Sequence, residues 1–133
     1  MSTLKVNTVQ HNTSGFNNVV QFSDGAGTQN GTLCRAWVNF NGTGTVAIRA
    51  DFNVNTITDN NNGDYTVNFS NALTDANYSI AGFYEGSSAP GNMFIYAGGG
   101  GTGTAPTLMT SSQCRVKTES GQDATTPTVT FFR

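Results

Sequence analysis

The feature that most constrains this chain is a hairpin pattern between residues 34 and 52. Apolar and polar residues alternate over residues 36–40 and again over residues 46–52, which is the period of a β-strand. Between these segments stands Asn41-Gly42-Thr43-Gly44, and Asn-Gly between alternating segments is the strongest short-range hairpin signal. On the return strand we expect four residues to face inward and two to face solvent. The inward residues are Val46, Ile48, Ala50 and Phe52, and the outward ones are Arg49 and Asp51.

Similar alternation recurs along the rest of the chain. It predicts short strands over residues 4–9, 19–22, 54–58, 65–69, 78–84, 93–96, 113–118 and 128–132. Residues 26–32 and 98–106 are predicted as Gly-rich loops, and residues 59–64 as a turn. Thr and Asn together exceed a quarter of the 133 residues, whereas Leu, Lys, Glu and Met are rare. This composition favours strands and turns over helices.

These patterns predict an all-β fold: an antiparallel β-sandwich of jelly-roll or Ig-like type with a short extended N-terminal arm. We expect residues 1–32 to form the arm and a strand segment that docks on a partner or a neighbouring subunit. Residues 33–133 are expected to form the sandwich domain. The residues predicted to anchor the arm are Leu4, Val6, Val19 and Phe22. The residues predicted to lie in the core or a subunit interface are Trp37, Phe40, Val46, Ile48, Phe52, Tyr65, Val67, Phe69, Tyr78 and Ile80.

The charge balance argues against several classes of partner. The formal net charge is -2, and no cluster of Lys and Arg could serve nucleic acid or an anionic membrane. No segment approaches the roughly 20 apolar residues of a membrane-spanning helix. The N-terminus lacks the basic and apolar regions of a secretory signal. We therefore expect a protein made in the cytoplasm, with neither nucleic-acid binding nor membrane insertion.

The sequence predicts no catalysis, no cofactor and no metal site. The one histidine, His11, lies in a polar segment, and no nucleophile motif accompanies it. The acidic turn from Asp59 to Asp64 lacks the alternating ligands and final Glu of a calcium loop, so a hairpin turn is the better interpretation. Cys34 and Cys114 lack metal-site spacing. Both are interpreted as free thiols on strands, and a disulfide between them is left open.

Trp37 points away from the face that Val38 and Phe40 share. Three roles are open to it: an anchor in a subunit interface, a platform for sugar stacking, or the core of a second sheet face. The sugar-binding alternative is a lectin-like module. It would use Trp37, or Tyr84 and Tyr96, together with the Gly-rich loop at residues 98–106.

The stretch from Cys34 to Ala50, CRAWVNFNGTGTVAIRA, resembles a module that recurs in virion proteins of tailed bacteriophages, especially those of cyanobacteria and the sea. Residues 59–69 and 76–80 resemble the same module, and the opening residues 2–10 look like the N-terminus of many such proteins. The resemblance covers roughly half of the chain. It is most specific from Trp37 to Arg49 and is not specific after Glu85.

This resemblance implies a trimeric, β-rich structural protein on the exterior of the virion, of the kind usually labelled tail fibre. The 133 residues hold neither the shaft nor the attachment domain of a long fibre. Two placements are therefore open: a capsid-decorating or cement protein, or a short tail-fibre-type component that helps host attachment. The expected partners are further copies of the chain in a homotrimer and other virion proteins, either the major capsid protein or tail proteins. A host surface glycan is the partner in the lectin-like alternative.

Overall fold

The structure is a computed structural model that describes residues 19–24, 27–85, 90–95 and 108–133. These ranges contain ten β-strands and no helix, and every strand pair is antiparallel. The strands are β1 (Val19–Asp24), β2 (Gly27–Thr32), β3 (Cys34–Asn41), β4 (Ala47–Phe52), β5 (Val54–Asn61), β6 (Asp64–Phe69), β7 (Ser79–Glu85), β8 (Pro90–Ile95), β9 (Gln113–Thr118) and β10 (Thr128–Phe132). The predicted all-β fold is therefore confirmed. β9 and β10 have the bounds that the sequence predicted.

The first two strands form a sheet of their own. β1 pairs with β2 from Val19 opposite Thr32 to Asp24 opposite Gly27. The prediction of a loop over residues 26–32 is therefore wrong from residue 27 onward, because β1 supplies a backbone partner for this polar segment. The predicted arm anchors Leu4 and Val6 lie outside the described residues. Val19 and Phe22 lie in β1, and the surroundings of their side chains are likewise outside the description.

The other eight strands form one sheet in the order β4-β3-β10-β7-β8-β9-β6-β5. The last strand of the chain, β10, is inserted between β3 and β7. Its pairing with β3 joins residues about ninety positions apart, as in the match of Thr128 with Asn39. The sheet therefore depends on contacts between the two ends of residues 33–133.

The sheet curls until its two ends face each other. β3 and β6 are five strand positions apart, which in a flat sheet would separate them by about 24 Å. Instead the rings of Phe40 on β3 and Tyr65 on β6 lie 5.0 Å apart, edge to face. Phe69 on β6 likewise lies 4.9 Å from Phe131 on β10. The result is a nearly closed antiparallel sheet with its core inside the curl.

The core consists of side chains that point into this curl. The buried apolar residues are Ala36, Val38, Phe40, Val54, Tyr65, Val67, Phe69, Leu73, Tyr78, Tyr84, Met93, Cys114, Val116, Ala124, Val129 and Phe131. Among the described residues, every buried side-chain nitrogen or oxygen has a hydrogen-bond partner. Unsatisfied polar groups therefore do not weaken this part of the interior.

β4 departs from the predicted orientation because of a β-bulge. Asn39 lies opposite Ala50, whereas the next residue, Phe40, lies opposite Ile48, so Arg49 is an extra residue. Arg49 fills the irregularity by donating from Nη1 to the carbonyl oxygen of Phe40 over 2.8 Å. A one-residue shift exchanges the two faces of a strand. Ile48 therefore packs against the core, whereas Ala50 and Phe52 are exposed and do not face inward as predicted.

We predict that truncation of Phe131 strongly destabilises the fold. Its fully buried ring contacts both Phe69 and Tyr78 edge to face, so Phe131→Ala leaves a cavity in the centre of the core. We expect a loss of about 3–5 kcal/mol in the free energy of unfolding, measured by urea denaturation. Phe131→Leu keeps most of the volume and should cost about 1.5 kcal/mol or less. Equal, small losses of unfolding free energy for both variants would contradict the burial of Phe131 inside a closed sheet.

Candidate functional site

The outward side of β3, β4, β7, β8 and β10 forms a continuous surface with an unusual composition. Along β3, buried residues at positions 36, 38 and 40 alternate with partly exposed ones. The alternation places Trp37 and Asn39 on the outside, since neighbouring side chains of a strand point to opposite faces. β7 and β10 also alternate, so their outward residues continue this surface.

The strand register arranges these outward side chains in two complete rows. Residues directly opposite each other in neighbouring strands lie on the same face. The first row runs across four strands as Phe52, Trp37, Thr130 and Ala81. The second row runs across five strands as Ala50, Asn39, Thr128, Phe83 and Asn92. Neither row contains a charged side chain.

A third, shorter row places Phe132 opposite Ser79. We name the three rows together the outer aromatic face: Trp37, Asn39, Ala50, Phe52, Ser79, Ala81, Phe83, Asn92, Thr128, Thr130 and Phe132. Phe83 is 63% exposed and Phe52 is 52% exposed. Trp37 and Phe132 are partly exposed. An exposed apolar patch that contains several aromatic rings is more often an interaction site than a stretch of ordinary protein surface is.

The polar groups of this face include one pair that is already matched. Asn39 Nδ2 donates to Thr128 Oγ1 over 2.8 Å, across the two central strands. This bond removes part of the desolvation cost that a partner would otherwise meet. The middle of the face can therefore be covered at lower cost than two free polar side chains would allow.

The outward side of β5, β6 and β9 is polar by contrast. Arg115 donates from Nε and Nη2 to the two carboxylate oxygens of Asp64, each over 2.8 Å. Asn68 Nδ2 lies 3.1 Å from Thr56 Oγ1 and 3.0 Å from Thr58 Oγ1. Burying this surface would remove an ion pair from water, which is costly. The two outer surfaces of the curled sheet are therefore chemically distinct.

The residues predicted for the core or an interface divide into three groups. Those buried in the interior are Phe40, Tyr65, Val67, Phe69 and Tyr78. Those partly buried against the core are Val46, Ile48 and Ile80. Those on the outer aromatic face are Trp37 and Phe52. Sequence reasoning did not single out Phe83 and Phe132. Each alternates with a buried neighbour, Tyr84 or Phe131, and this alternation is the sequence signal that could have identified them.

Tyr65 belongs to a polar network at one end of the sheet. Its hydroxyl lies 2.9 Å from Asp123 Oδ1 and 3.1 Å from the carbonyl oxygen of Gly42. Gly63 N–H donates to the same Asp123 oxygen over 2.8 Å. Burial and the neighbouring carboxylate of Asp123 raise the pKa of Tyr65 well above its usual range. The hydroxyl therefore stays protonated and acts as a structural donor.

The lectin-like alternative loses one of its residues. Tyr84 points into the core and is 5% exposed. Its hydroxyl accepts a hydrogen bond from Ser120 N–H over 3.2 Å, and its ring lies against Gly91. Tyr84 therefore has no free face on which a sugar could stack. Tyr96 and the loop at residues 98–106 lie outside the described residues.

Candidate chemical groups elsewhere are placed as follows. Cys34 and Cys114 are both free thiols, so the disulfide alternative is not realised. The described ranges contain no group of three or more His, Cys, Asp and Glu that could hold a metal ion, and His11 lies beyond them. The acidic turn is the tip of the β5–β6 hairpin, where Asn62 and Gly63 connect the strands. Its Asp64 binds Arg115.

No family model, curated protein or solved structure matches this chain. Within the part of the chain that the structure describes, none of the elements is a helix able to cross a membrane. The geometry of the site is therefore the basis for a functional proposal, together with the resemblance of residues 34–80.

We predict that the two thiols differ sharply in reactivity. Burial raises the pKa of Cys114 to about 11, so at pH 8 this thiol is protonated, and the thiolate is the reactive form. Cys34 is only partly buried. A colorimetric thiol reagent at pH 8 should label Cys34 in the folded protein and Cys114 only after unfolding. In Cys34→Ser, folded protein should show almost no reaction; rapid labelling there would contradict the burial of Cys114.

Proposed function

We propose that this protein is a non-enzymatic structural component of the exterior of a tailed-phage virion, assembled as a homotrimer. The observation that carries the proposal is the outer aromatic face, which has four aromatic rings and no charge in its rows. Interface cores are enriched in aromatic residues and depleted of charge. The resemblance of residues 34–80 to virion modules supports the setting. A capsid-decorating or cement role and a short tail-fibre-type role both fit this surface.

The face extends across five strands, and an interface between whole subunits must reach beyond its rows. Five neighbouring strands span about 19 Å, and three rows of side chains extend along them. A stable interface buries about 800 Å² on each partner, so the whole face and its margins would be used.

The proposal also includes the finer architecture of the fold, a β-sandwich with two layers. The layers share β8, which pairs with β7 on one side and β9 on the other.

The distribution of rings across the face favours a ring of three over a two-fold pair. Phe52 and Trp37 lie on β4 and β3, at one side of the face, and Phe83 lies on β7 towards the other. Thr128 and Thr130 of β10 lie between them. A closed ring uses heterologous contacts, in which one side of each subunit meets the other side of the next. Phe132 of β10 also lies between them, so aromatic rings reach both sides of the face, which suits such contacts.

We predict a molar mass three times the 14.0 kDa of the chain by light scattering. Trp37 is the one tryptophan and lies on the outer aromatic face, so its emission reports association directly. We expect a blue-shifted emission maximum in the assembled protein and a red shift on dilution. A monomer or dimer at all concentrations, with constant emission, would contradict the trimer.

A pair of variants tests which surface is used. Phe83→Glu places a carboxylate on the outer aromatic face, where burying an unpaired charge costs several kcal/mol; we expect it to yield monomers. Thr58→Glu places the same charge on the outward side of β5, at an exposed strand position, and should leave the molar mass unchanged. Dissociation by Thr58→Glu but not by Phe83→Glu would place the interface on the outward side of β5, β6 and β9 and would contradict the proposal. Circular dichroism checks that both variants keep the β-fold.

A further inference from the structure

An open cleft lies beside the outer aromatic face, at the corner where β4 turns into β5. Its volume is about 550 Å³, within the range of small-molecule sites. Phe52 is common to the cleft and the outer aromatic face. The residues that line it are Leu33, Cys34, Arg35, Phe52, Asn53, Ser70, Asn71 and Ala72.

Asn53 holds the cleft in a fixed shape. Its φ is 57°, the left-handed conformation that Asn tolerates better than most residues. Its Nδ2 donates to the carbonyl oxygens of Arg35 and Asn71 over 3.1 and 3.0 Å, and its Oδ1 accepts from Asn71 N–H over 2.8 Å. Its own carbonyl oxygen accepts from Ser70 N–H. One side chain therefore ties β3 to the turn after β6, so that a ligand meets a preformed site.

The lining combines one cation with apolar walls and no carboxylate. Arg35 is among the lining residues, and a guanidinium group binds carboxylates through two parallel hydrogen bonds. Phe52 and Leu33 are 52% and 47% exposed. Ser70 and Asn71 also line the cleft, and Asn71 Nδ2 donates to Asn53 Oδ1 over 3.3 Å. A ligand that fits this lining carries a carboxylate, an apolar surface and hydroxyl groups.

The two acidic groups closest in sequence to the lining each have a hydrogen-bond partner. Asp75 forms a bidentate pair with Arg133, with contacts of 2.9 and 2.6 Å. Asp51 Oδ2 accepts a hydrogen bond from Val54 N–H over 3.3 Å. Arg35 is therefore the one charged residue among those that line the cleft, although the chain as a whole has a net charge of -2.

We propose that this cleft binds a carboxylate-bearing saccharide. The Arg35 guanidinium binds the carboxylate, the Phe52 ring covers the C–H face of the sugar, and Ser70 and Asn71 bind hydroxyl groups. The site differs from the predicted lectin-like one, which used other residues. Because Arg35 is partly exposed, the attraction is screened by salt and the affinity is modest. Because Phe52 belongs to both surfaces, the inference requires that a trimer leave the cleft side of this ring open.

The test is a titration of the isotopically labelled full chain with methyl glucuronoside, followed by NMR. Methyl glucoside is the matched ligand, since it has a hydroxymethyl group in place of the carboxylate. We expect saturable shifts of the backbone amides of Asn53, Ser70 and Asn71, with a dissociation constant on the order of 1 mM. Methyl glucoside should bind at least about tenfold more weakly, a difference of about 1.4 kcal/mol.

Two variants assign the charge. Arg35→Gln should reduce the affinity for the glucuronoside to that for the glucoside. Lys117→Gln removes one positive charge from β9, on the other half of the sheet, and should leave binding unchanged. Three outcomes would overturn the proposal: no saturable shift up to about 50 mM, equal binding of both ligands, or an affinity for the glucuronoside that is unchanged in Arg35→Gln. Light scattering on the same samples reports the trimer separately, so either proposal can fail alone.

Discussion

Edge-to-face packing between aromatic rings from opposite ends of one sheet is the interaction on which the rest of this structure depends. Phe40 against Tyr65 and Phe69 against Phe131 bring β3 and β10 over β6. Such pairs contribute about 0.5–1.5 kcal/mol each beyond the burial of their area. More importantly, they close the sheet, so that one of its faces becomes the interior and the other the exterior. Each alternating strand then has one side committed to the core and another free for contact with partners.

The closure is reinforced at one end by polar groups that only small residues allow. The Tyr65 hydroxyl lies between Asp123 and the carbonyl oxygen of Gly42, and Gly63 N–H donates to the same carboxylate. A Cβ at Gly42 would collide with the Tyr65 ring, and one at Gly63 would collide with the Thr118 side chain. The Asn-Gly steps therefore do more than turn the chain. They let the loop before β10 approach both hairpin tips closely enough to bind them.

Local pattern predicted the strands well, because alternation is a property of neighbouring residues, but it could not predict how strands meet. The bulge at Asn39 and Phe40 changes the phase of β4 and turns Phe52 outward. No residue in the sequence of β4 predicts this bulge, since the bulge depends on pairing with β3. The cleft was equally hidden, because it requires Asn53 to join β3 to the turn at Ser70 and Asn71. The outer aromatic face lay between these cases: Trp37 was identified from its phase, and alternation could have identified Phe83 and Phe132, but only the strand register places the three on one surface.

The contrast between the two outer surfaces gives association a direction. A partner that covered the outward side of β5, β6 and β9 would have to remove the rest of the Arg115 side chain from water, since it is 32% exposed, whereas the paired Asp64 side chain is already only 6% exposed. The Coulombic gain in such a pair seldom offsets full desolvation. A partner on the outer aromatic face meets no charge in its rows and removes the Phe83 ring from water. The same sheet thus presents one surface that resists burial and one that favours it. Because Arg35 lies beside the second surface, a ligand cleft can remain at the margin of an assembled interface.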